Sequence, residues 1–268
     1  MRAFGKGLAC FACFCAYVAA EAALTVLFFF LPAGTKRRCG ARFTRAFARC
    51  LVFFLGIRVR VTGPVDAVRR LGGVFLAPNH VSYIDGFAMA ATFPLVFVGK
   101  GDLRAWPLVG WMTRLSGTIF IDRGGRDRLL VSLRQMTQAL AAGANLLFFP
   151  EGTTTNGEGM LPFRSAFFDA PARTGAAVAP VSIVYEAVDG APFSRENRDR
   201  VCWYGDMTFW DHFVGLLRSR SVAVTLVVHE PLRAQPPAST VPRGPDARKD
   251  LSSRTCAAVK SGVRLLGE

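Results

Sequence analysis

Acidic residues are scarce in this sequence. Among its 268 residues, 19 are Asp or Glu and 33 are Lys or Arg, which gives a formal net charge of +14. A surplus of this size suits nucleic acid, anionic lipid headgroups or acidic substrates as binding partners. Nucleic acid is not expected, because basic and aromatic residues are not interleaved on a recognisable binding module. The hydrophobic content of 51% and the mean hydropathy of +0.29 instead favour association with membrane lipids.

The sequence also lacks a spaced cysteine framework and a serine-nucleophile motif. Its seven cysteines are an odd number, and Cys10, Cys13 and Cys15 lie in an apolar segment. They are expected to be small hydrophobic residues in a reducing compartment, neither disulfide-bonded nor bound to a metal. No G-x-S-x-G sequence occurs, and no cysteine stands in a recognisable nucleophile context. A covalent intermediate on serine or cysteine is therefore not expected.

The N-terminal segment predicts a membrane anchor. Residues 8–31 are almost wholly apolar, with Glu21 the only charge, and they are long enough to cross roughly 30 Å of hydrocarbon as a helix. The basic residues that follow place the rest of the chain on the cytoplasmic side of the inner membrane. Residues 41–55 are apolar on one side and basic on the other, so a pair of helices lying in the membrane plane remains an alternative. Residues 1–55 are predicted to be the membrane-anchoring helices.

Strands and helices alternate through the middle of the chain. Residues 57–62 alternate apolar and basic side chains, which predicts a strand with one buried face. Residues 127–142 carry leucines at helical spacing before Gly143, which predicts a soluble helix. The pattern predicts an α/β fold with a mixed, largely parallel central sheet flanked by helices. We expect a catalytic domain over 56–230 and a C-terminal linker and helix over 231–268.

His80 and Asp85 are the first candidates for chemistry. The apolar run 74–77 predicts a buried strand that ends at Pro78, and the residues after Ile84 favour a helix, so the histidine lies at a strand-to-helix turn. A straight helix would place residues five apart about 140° from each other, but a turn at 80–82 would bring the pair together. A neutral imidazole can remove a proton from a hydroxyl, and a carboxylate would orient it. The alternative is a purely structural histidine.

Four short blocks then occur in order along the chain. They are NHVSYID (79–85), GTIFIDR (117–123), FFPEGTT (148–154) and VAPVS (178–182). Together they resemble the glycerolipid acyltransferase family. The resemblance implies transfer of a fatty acyl group from a thioester, either acyl-CoA or acyl carrier protein, to the hydroxyl of a lysolipid. It implies His80 and Asp85 as the catalytic pair, with no cofactor and no metal.

The resemblance also implies a set of substrate-binding residues. Arg123 matches the arginine that would pair with an acceptor phosphate, a role that suits its planar guanidinium. Glu151, Gly152 and Thr153 match the third block, in which the carboxylate would bind an acceptor hydroxyl and the glycine permits close backbone approach. Lys100 matches a position at which the family often has lysine.

The sequence departs from the family at the acceptor site. Many phosphatidate-forming members carry arginine where this chain has Thr154, and Arg164 could supply the missing cation. The expected acceptor is 1-acylglycerol-3-phosphate, which would give phosphatidate in phospholipid biosynthesis. The alternative is lyso-ornithine lipid or another lysophospholipid. His212 and His229 match nothing in the family pattern and are expected to be structural or surface residues.

Overall fold

A mixed sheet is the central element of the fold. The computed structural model describes residues 2–27, 30, 33–102, 116–122, 124–234 and 245–263. In this part of the chain the sheet has eight strands, in the order β1-β8-β6-β2-β5-β3-β4, with β7 paired to β6. The strands are β1 (Ile57–Thr62), β2 (Phe75–Pro78), β3 (Val96–Lys100), β4 (Ile119–Ile121), β5 (Leu146–Phe148), β6 (Val178–Val188), β7 (Ala191–Pro192) and β8 (Val222–Val228).

Five neighbouring strands of the sheet are parallel. β6, β2, β5, β3 and β4 run in one direction, β8 is antiparallel to β6, and β1 is parallel to β8. All four residues of β2 are buried, as expected for a central strand covered on both faces. The predicted α/β fold with a mixed, largely parallel sheet is confirmed. The carboxyl ends of β2 and β5 are adjacent, which brings the segments after them together.

Helices flank the sheet. They are α1 (Arg2–Leu27), α2 (Ala33–Leu55), α3 (Val65–Leu71), α4 (Tyr83–Thr92), α5 (Arg126–Ala141), α6 (Asp169–Thr174), α7 (Phe209–Arg218) and α8 (Pro245–Gly262), with 3-10 turns at Ser165–Phe168 and Arg198–Arg200. The sequence did not predict α3. Residues 235–244 and 264–268 of the predicted C-terminal linker and helix lie outside the described residues.

The first two helices form an antiparallel pair, which we call the N-terminal hairpin. Near the start of α1, the Lys6 ammonium donates hydrogen bonds to the carbonyls of Leu55 (2.7 Å) and Ser219 (2.8 Å). Further along α1, the Tyr17 ring packs on Phe47, with centroids 4.4 Å apart. These contacts hold α1 against the end of α2 and the end of α7. Among the described residues, α1 is the one helix long and apolar enough to cross a membrane, judged by length and composition.

The last helix packs back onto the sheet. Leu251, Thr255 and Val259 of α8 are fully buried. The Ser182 hydroxyl on β6 donates to the Val259 carbonyl at 2.6 Å. The division into an anchor, a catalytic domain and a C-terminal segment stays a prediction, and both outer segments contribute buried side chains to the cores around the sheet.

Candidate active site

The turn between β2 and α4 places a histidine beside a carboxylate. Ser82 is the N-cap of α4, and Asp85 at the third helical position completes a capping box with it. This local geometry folds residues 80–82 back over the start of the helix. It brings His80 Nδ1 to 2.9 Å from Asp85 Oδ2. The turn expected from the sequence is therefore present.

Asp85 is fully buried and accepts four hydrogen bonds. Its Oδ2 accepts from the backbone amides of Val81 (2.7 Å) and Ser82 (2.9 Å) and from His80 Nδ1. Its Oδ1 accepts from the Tyr185 hydroxyl at 2.6 Å. Because Asp85 can only accept, His80 Nδ1 carries the proton, and Nε2 keeps its lone pair. The imidazole is 19% exposed, so this lone pair can reach a substrate hydroxyl.

Glu151, at the end of the segment after β5, holds the backbone of the same turn. Its Oε1 accepts from the His80 amide and its Oε2 from the Leu161 amide, both at 2.7 Å. The carboxyl is buried, and burial raises the pKa of Glu151 to about 7 although the two amide bonds lower it. The Phe149 ring stacks on the imidazole with centroids 3.7 Å apart. His80 is thus fixed through its ring and its main chain.

Gly152 and Arg164 are in close contact on the loop that follows. Gly152 has φ of +77°, in the left-handed region, and a Cβ there would lie 2.7 Å from Arg164 Nε. The Arg164 amide donates to the Pro150 carbonyl at 3.0 Å, which closes the loop. Within the described part of the chain, the exposed Arg164 guanidinium has no hydrogen bond or ion pair. It is available to an anionic group.

The other candidates lie further from the histidine. Lys100 is exposed at the carboxyl end of β3, the strand next to β5, and therefore lies at the same edge of the sheet. Thr153 is exposed directly after Gly152. Arg123 lies outside the described residues. The structure therefore brings together His80, Asp85, Glu151, Gly152 and Arg164. Among the described residues, no group of three or more His, Cys, Asp or Glu side chains could hold a metal ion.

Comparison with known proteins identifies the architecture and the family. Residues 58–184 match the acyltransferase family. A lyso-ornithine lipid O-acyltransferase of Pseudomonas aeruginosa is 37% identical over 205 residues, which are 76% of this chain and 75% of that protein. The chain belongs to the glycerolipid acyltransferase family. A 1-acyl-sn-glycerol-3-phosphate acyltransferase of Neisseria gonorrhoeae is 41% identical over 125 residues, 47% of this chain and 49% of that protein.

A solved structure supports the fold of this acyltransferase. The 1-acyl-sn-glycerophosphate acyltransferase PlsC of Thermotoga maritima superposes with a TM-score of 0.62 and covers 98% of this chain and 96% of that chain. Its sequence identity is 22%, so the likeness concerns the fold alone. The sheet and its flanking helices are thus an arrangement that this solved acyltransferase also has.

Two polar residues at the site of the acyltransferase were missed by the sequence analysis. The Tyr185 hydroxyl on β6 donates a hydrogen bond to Asp85. In the sequence, only the presence of a hydroxyl within a run of apolar residues could have indicated this role. Asn79 bridges β2 to β6, because its side chain accepts from the Ile183 amide at 2.7 Å and donates to the Ile183 carbonyl at 3.1 Å. The signal for Asn79 is its place directly before the histidine. Both residues are buried positioning groups.

Proposed function

We propose that the protein transfers a fatty acyl group from an acyl thioester to the free hydroxyl of a lysolipid. The observation that carries the proposal is the His80–Asp85 pair, in which Nδ1 is held by a buried carboxylate and Nε2 is left free. A thioester is already activated, so the enzyme needs a base for the acceptor hydroxyl more than a nucleophile of its own.

The reaction then takes place in one displacement through a tetrahedral species. His80 Nε2 takes the proton of the acceptor hydroxyl as its oxygen forms a bond to the thioester carbonyl carbon. The carbon–sulfur bond breaks, and the imidazolium returns the proton to the departing thiolate. Asp85 stabilises the imidazolium between these two events. The products are the acylated lipid and the free thiol of coenzyme A or acyl carrier protein.

For the acceptor we propose lyso-ornithine lipid. The match to the Pseudomonas lyso-ornithine lipid O-acyltransferase covers three quarters of that protein. In addition, Thr154 stands where many phosphatidate-forming members have arginine. Lyso-ornithine lipid carries a carboxylate and no phosphate, and the free Arg164 guanidinium suits a carboxylate. The second candidate is 1-acylglycerol-3-phosphate, which is supported by the Neisseria relative. With that acceptor, Arg123 and Arg164 would share the phosphate.

We further propose that the enzyme works at the inner membrane, with its catalytic domain on the cytoplasmic side. The support is the apolar length of α1, the basic residues of α2 and the net charge of +14. The hairpin contacts the catalytic domain at both ends, through Lys6 at one and through Arg37 beside Gly117 at the other. A helix leaving the domain to span a bilayer would keep such contacts at one end only, so we favour a hairpin lying in the membrane plane.

The test is transfer of a labelled acyl group by purified protein in mixed micelles. Acyl-CoA and acyl carrier protein are offered as donors, and lyso-ornithine lipid and 1-acylglycerol-3-phosphate as acceptors. We expect His80→Ala to lower turnover by roughly 10²- to 10⁴-fold, as for loss of a general base. Near-wild-type transfer by a folded His80→Ala protein would contradict the mechanism. Faster acylation of 1-acylglycerol-3-phosphate than of lyso-ornithine lipid would overturn the acceptor assignment.

Arg164 provides a second test of the acceptor site. A hydrogen bond to a charged group contributes about 1.5–3 kcal/mol, so Arg164→Gln should raise the KM of the acceptor roughly 10- to 100-fold. The KM of the acyl donor should not change. The matched control is Arg134→Gln, which alters an exposed arginine on α5. Equal increases for donor and acceptor would mean that Arg164 holds the loop rather than the substrate.

A further inference from the structure

Helix α7 presents an exposed apolar face from within the catalytic domain. Trp210 and Val214, one helical turn apart, are 59% and 42% exposed. Arg218, four residues after Val214, lies on the same exposed side of the helix, and Thr208 caps the helix by accepting a hydrogen bond from the Asp211 amide. An exposed tryptophan beside an exposed valine marks a contact surface.

This face continues onto the N-terminal hairpin. Gly7 of α1 faces Leu217 of α7, and a Cβ at Gly7 would lie 3.6 Å from Leu217 Cδ1, so the two helices are in contact there. Leu217 is seven residues after Trp210 and therefore lies on the same face of α7. The apolar face of α7 therefore adjoins the surface of α1.

Helix α1 presents a matching apolar stripe. Phe4, Leu8 and Phe11 follow helical spacing and are 78%, 59% and 58% exposed. Helix α2, the partner of α1 in the hairpin, exposes Arg42 and Arg49, which are seven residues apart and share a face. We call the exposed residues of α1 and α7 together the apolar face (Phe4, Leu8, Phe11, Trp210 and Val214).

We propose that α7 is a membrane-contacting helix of the catalytic domain, with Trp210 and Val214 in the boundary between headgroups and acyl chains of an anionic leaflet. A second copy of the chain would cover the apolar residues but would bring two molecules of net charge +14 together. An anionic leaflet accepts both the apolar side chains and the arginines. Tryptophan is also enriched at the level of the headgroups. The inference rests on the proposed function in one respect, namely that the substrates are membrane lipids.

The same helix is fastened to the catalytic turn. His212 Nδ1 lies 2.9 Å from the Tyr83 hydroxyl, and Tyr83 is the first residue of α4, between His80 and Asp85. The Phe209 ring packs on the Tyr83 ring with centroids 5.2 Å apart. Burial lowers the pKa of His212, so its neutral ring can accept from Tyr83. A leaflet against Trp210 would therefore lie at a fixed distance from His80.

The first experiment is quenching of tryptophan fluorescence by brominated lipid. Full-length protein is bound to vesicles of zwitterionic and anionic phospholipid with bromine at a known depth. The signal of Trp210 is obtained as the difference between the wild type and Trp210→Phe. We expect this difference signal to be quenched, most strongly by bromine near the headgroups. An unquenched Trp210 on vesicle-bound protein would overturn the proposal.

The second experiment compares this face with exposed apolar residues elsewhere on the protein. The double variant Trp210→Gln/Val214→Gln should bind anionic vesicles at least about tenfold more weakly, because it removes two apolar contacts with the leaflet. The control Leu130→Gln/Val131→Gln, which alters two exposed apolar residues of α5, should change binding less. Equal weakening by both variants would contradict the proposal. A second outcome would also contradict it. If the Trp210→Gln/Val214→Gln protein binds vesicles as the wild type does but no longer forms a dimer in sedimentation equilibrium, a second copy of the chain occupies the face.

Acyl transfer in detergent micelles keeps this inference separate from the proposed function. If the wild type acylates lysolipids in micelles but Trp210 is not quenched on vesicles, the inference fails and the proposed function stands. If Trp210 is quenched but no lysolipid is acylated, the proposed function fails and the membrane contact of α7 stands.

Discussion

Single residues in the acyltransferase have structural and chemical tasks at once. Asp85 caps the start of α4 and also holds the imidazole of His80. Glu151 closes a loop through Leu161 and also binds the amide of His80. A substitution at either residue therefore changes stability and turnover together, and experiments on the site must measure both.

Tyr185→Phe is the substitution that separates these effects best. It keeps the buried ring and removes the donor to Asp85 Oδ1. The carboxylate then interacts more strongly with the imidazolium, so the acidic limb of the pH–rate profile should move to higher pH, and kcat should fall roughly tenfold. A matched control is Tyr204→Phe, which removes a hydroxyl bound to the exposed Asp199. A lowered Tm with an unmoved acidic limb would show that Tyr185 supports the fold and not the base.

Glu151 gives a prediction about stability and pH. Its pKa of about 7 in the folded protein lies above the value of about 4.3 for an exposed glutamate. Between these values the folded protein binds more protons than the unfolded chain. The contribution of Glu151 to stability is therefore greatest at low pH and is lost as pH rises towards about 7.

Glu151→Gln tests this dependence, because glutamine does not ionise. The free energy of unfolding of the wild type, measured with urea in detergent micelles, should fall relative to that of Glu151→Gln between about pH 5 and pH 7 and then level off. Glu158→Gln is the control, because the arginines beside Glu158 lower its pKa, so this glutamate is ionised in both the folded and the unfolded chain between about pH 5 and pH 7 and adds no slope there. A constant difference between wild type and Glu151→Gln across this range would refute the assignment.

The sequence predicted the turn at His80 but not the hydrogen bonds that hold it in place. Pro78 ends β2 and Ser82 stands three residues before Asp85, so the turn and the cap follow from neighbours in the chain. Tyr185 bonds Asp85 across 100 residues, and the Glu151 oxygens meet amides whose positions depend on the folded loop. Those contacts depend on strand order and loop closure, which local patterns do not contain.

At the level of elements, α8 is joined to the sheet by one buried serine. The Ser182 hydroxyl donates to the Val259 carbonyl on α8 and lies 2.7 Å from His229 Nε2. Burial lowers the pKa of His229, which keeps it neutral. Its Nε2–H then donates to Ser182, and the serine satisfies a donor and an acceptor at once.

Ser182→Ala should loosen α8. It leaves the Val259 carbonyl and His229 Nε2–H without a partner, at a cost of about 1–3 kcal/mol each. We expect a lower free energy of unfolding by urea and faster amide hydrogen exchange in α8 than in β2. Ser261→Ala, on the exposed side of the same helix, is the control. Unchanged exchange in α8 of Ser182→Ala would show that other contacts hold the helix.

Helices and strands with a strong local pattern were predicted from the sequence, but the pairing of strands was not. The alternation over Ile57–Thr62 predicted β1, and the leucine spacing predicted the helix at Arg126–Ala141. The pairing of β1 with β8, antiparallel to the other main strands, has no local signal because 165 residues separate Ile57 from its partner Val222. Helix α3 was missed because it has only seven residues and one buried side chain, Val68.

At the level of the whole molecule, the charge of +14 predicts binding that depends on salt. Exposed charges are screened over about 10 Å at 0.1 M salt, so affinity for anionic vesicles should fall as salt is added. The apolar face is not screened, so part of the binding should persist at high salt. Flotation with anionic and with purely zwitterionic vesicles measures both parts. Complete release of the protein from anionic vesicles at high salt would mean that charge alone holds it there.

The bond between Lys6 and Ser219 also sets an order of events during synthesis. The two residues are 213 positions apart, and translation at about 5–20 residues per second separates their appearance by roughly 10–40 s. During that interval α1 has left the ribosome while α7, which it packs against, does not exist. The phenylalanines of α1 therefore contact lipid or a chaperone before they can pack against the rest of the protein. We therefore expect the nascent chain to reach the membrane surface first and to complete its fold there.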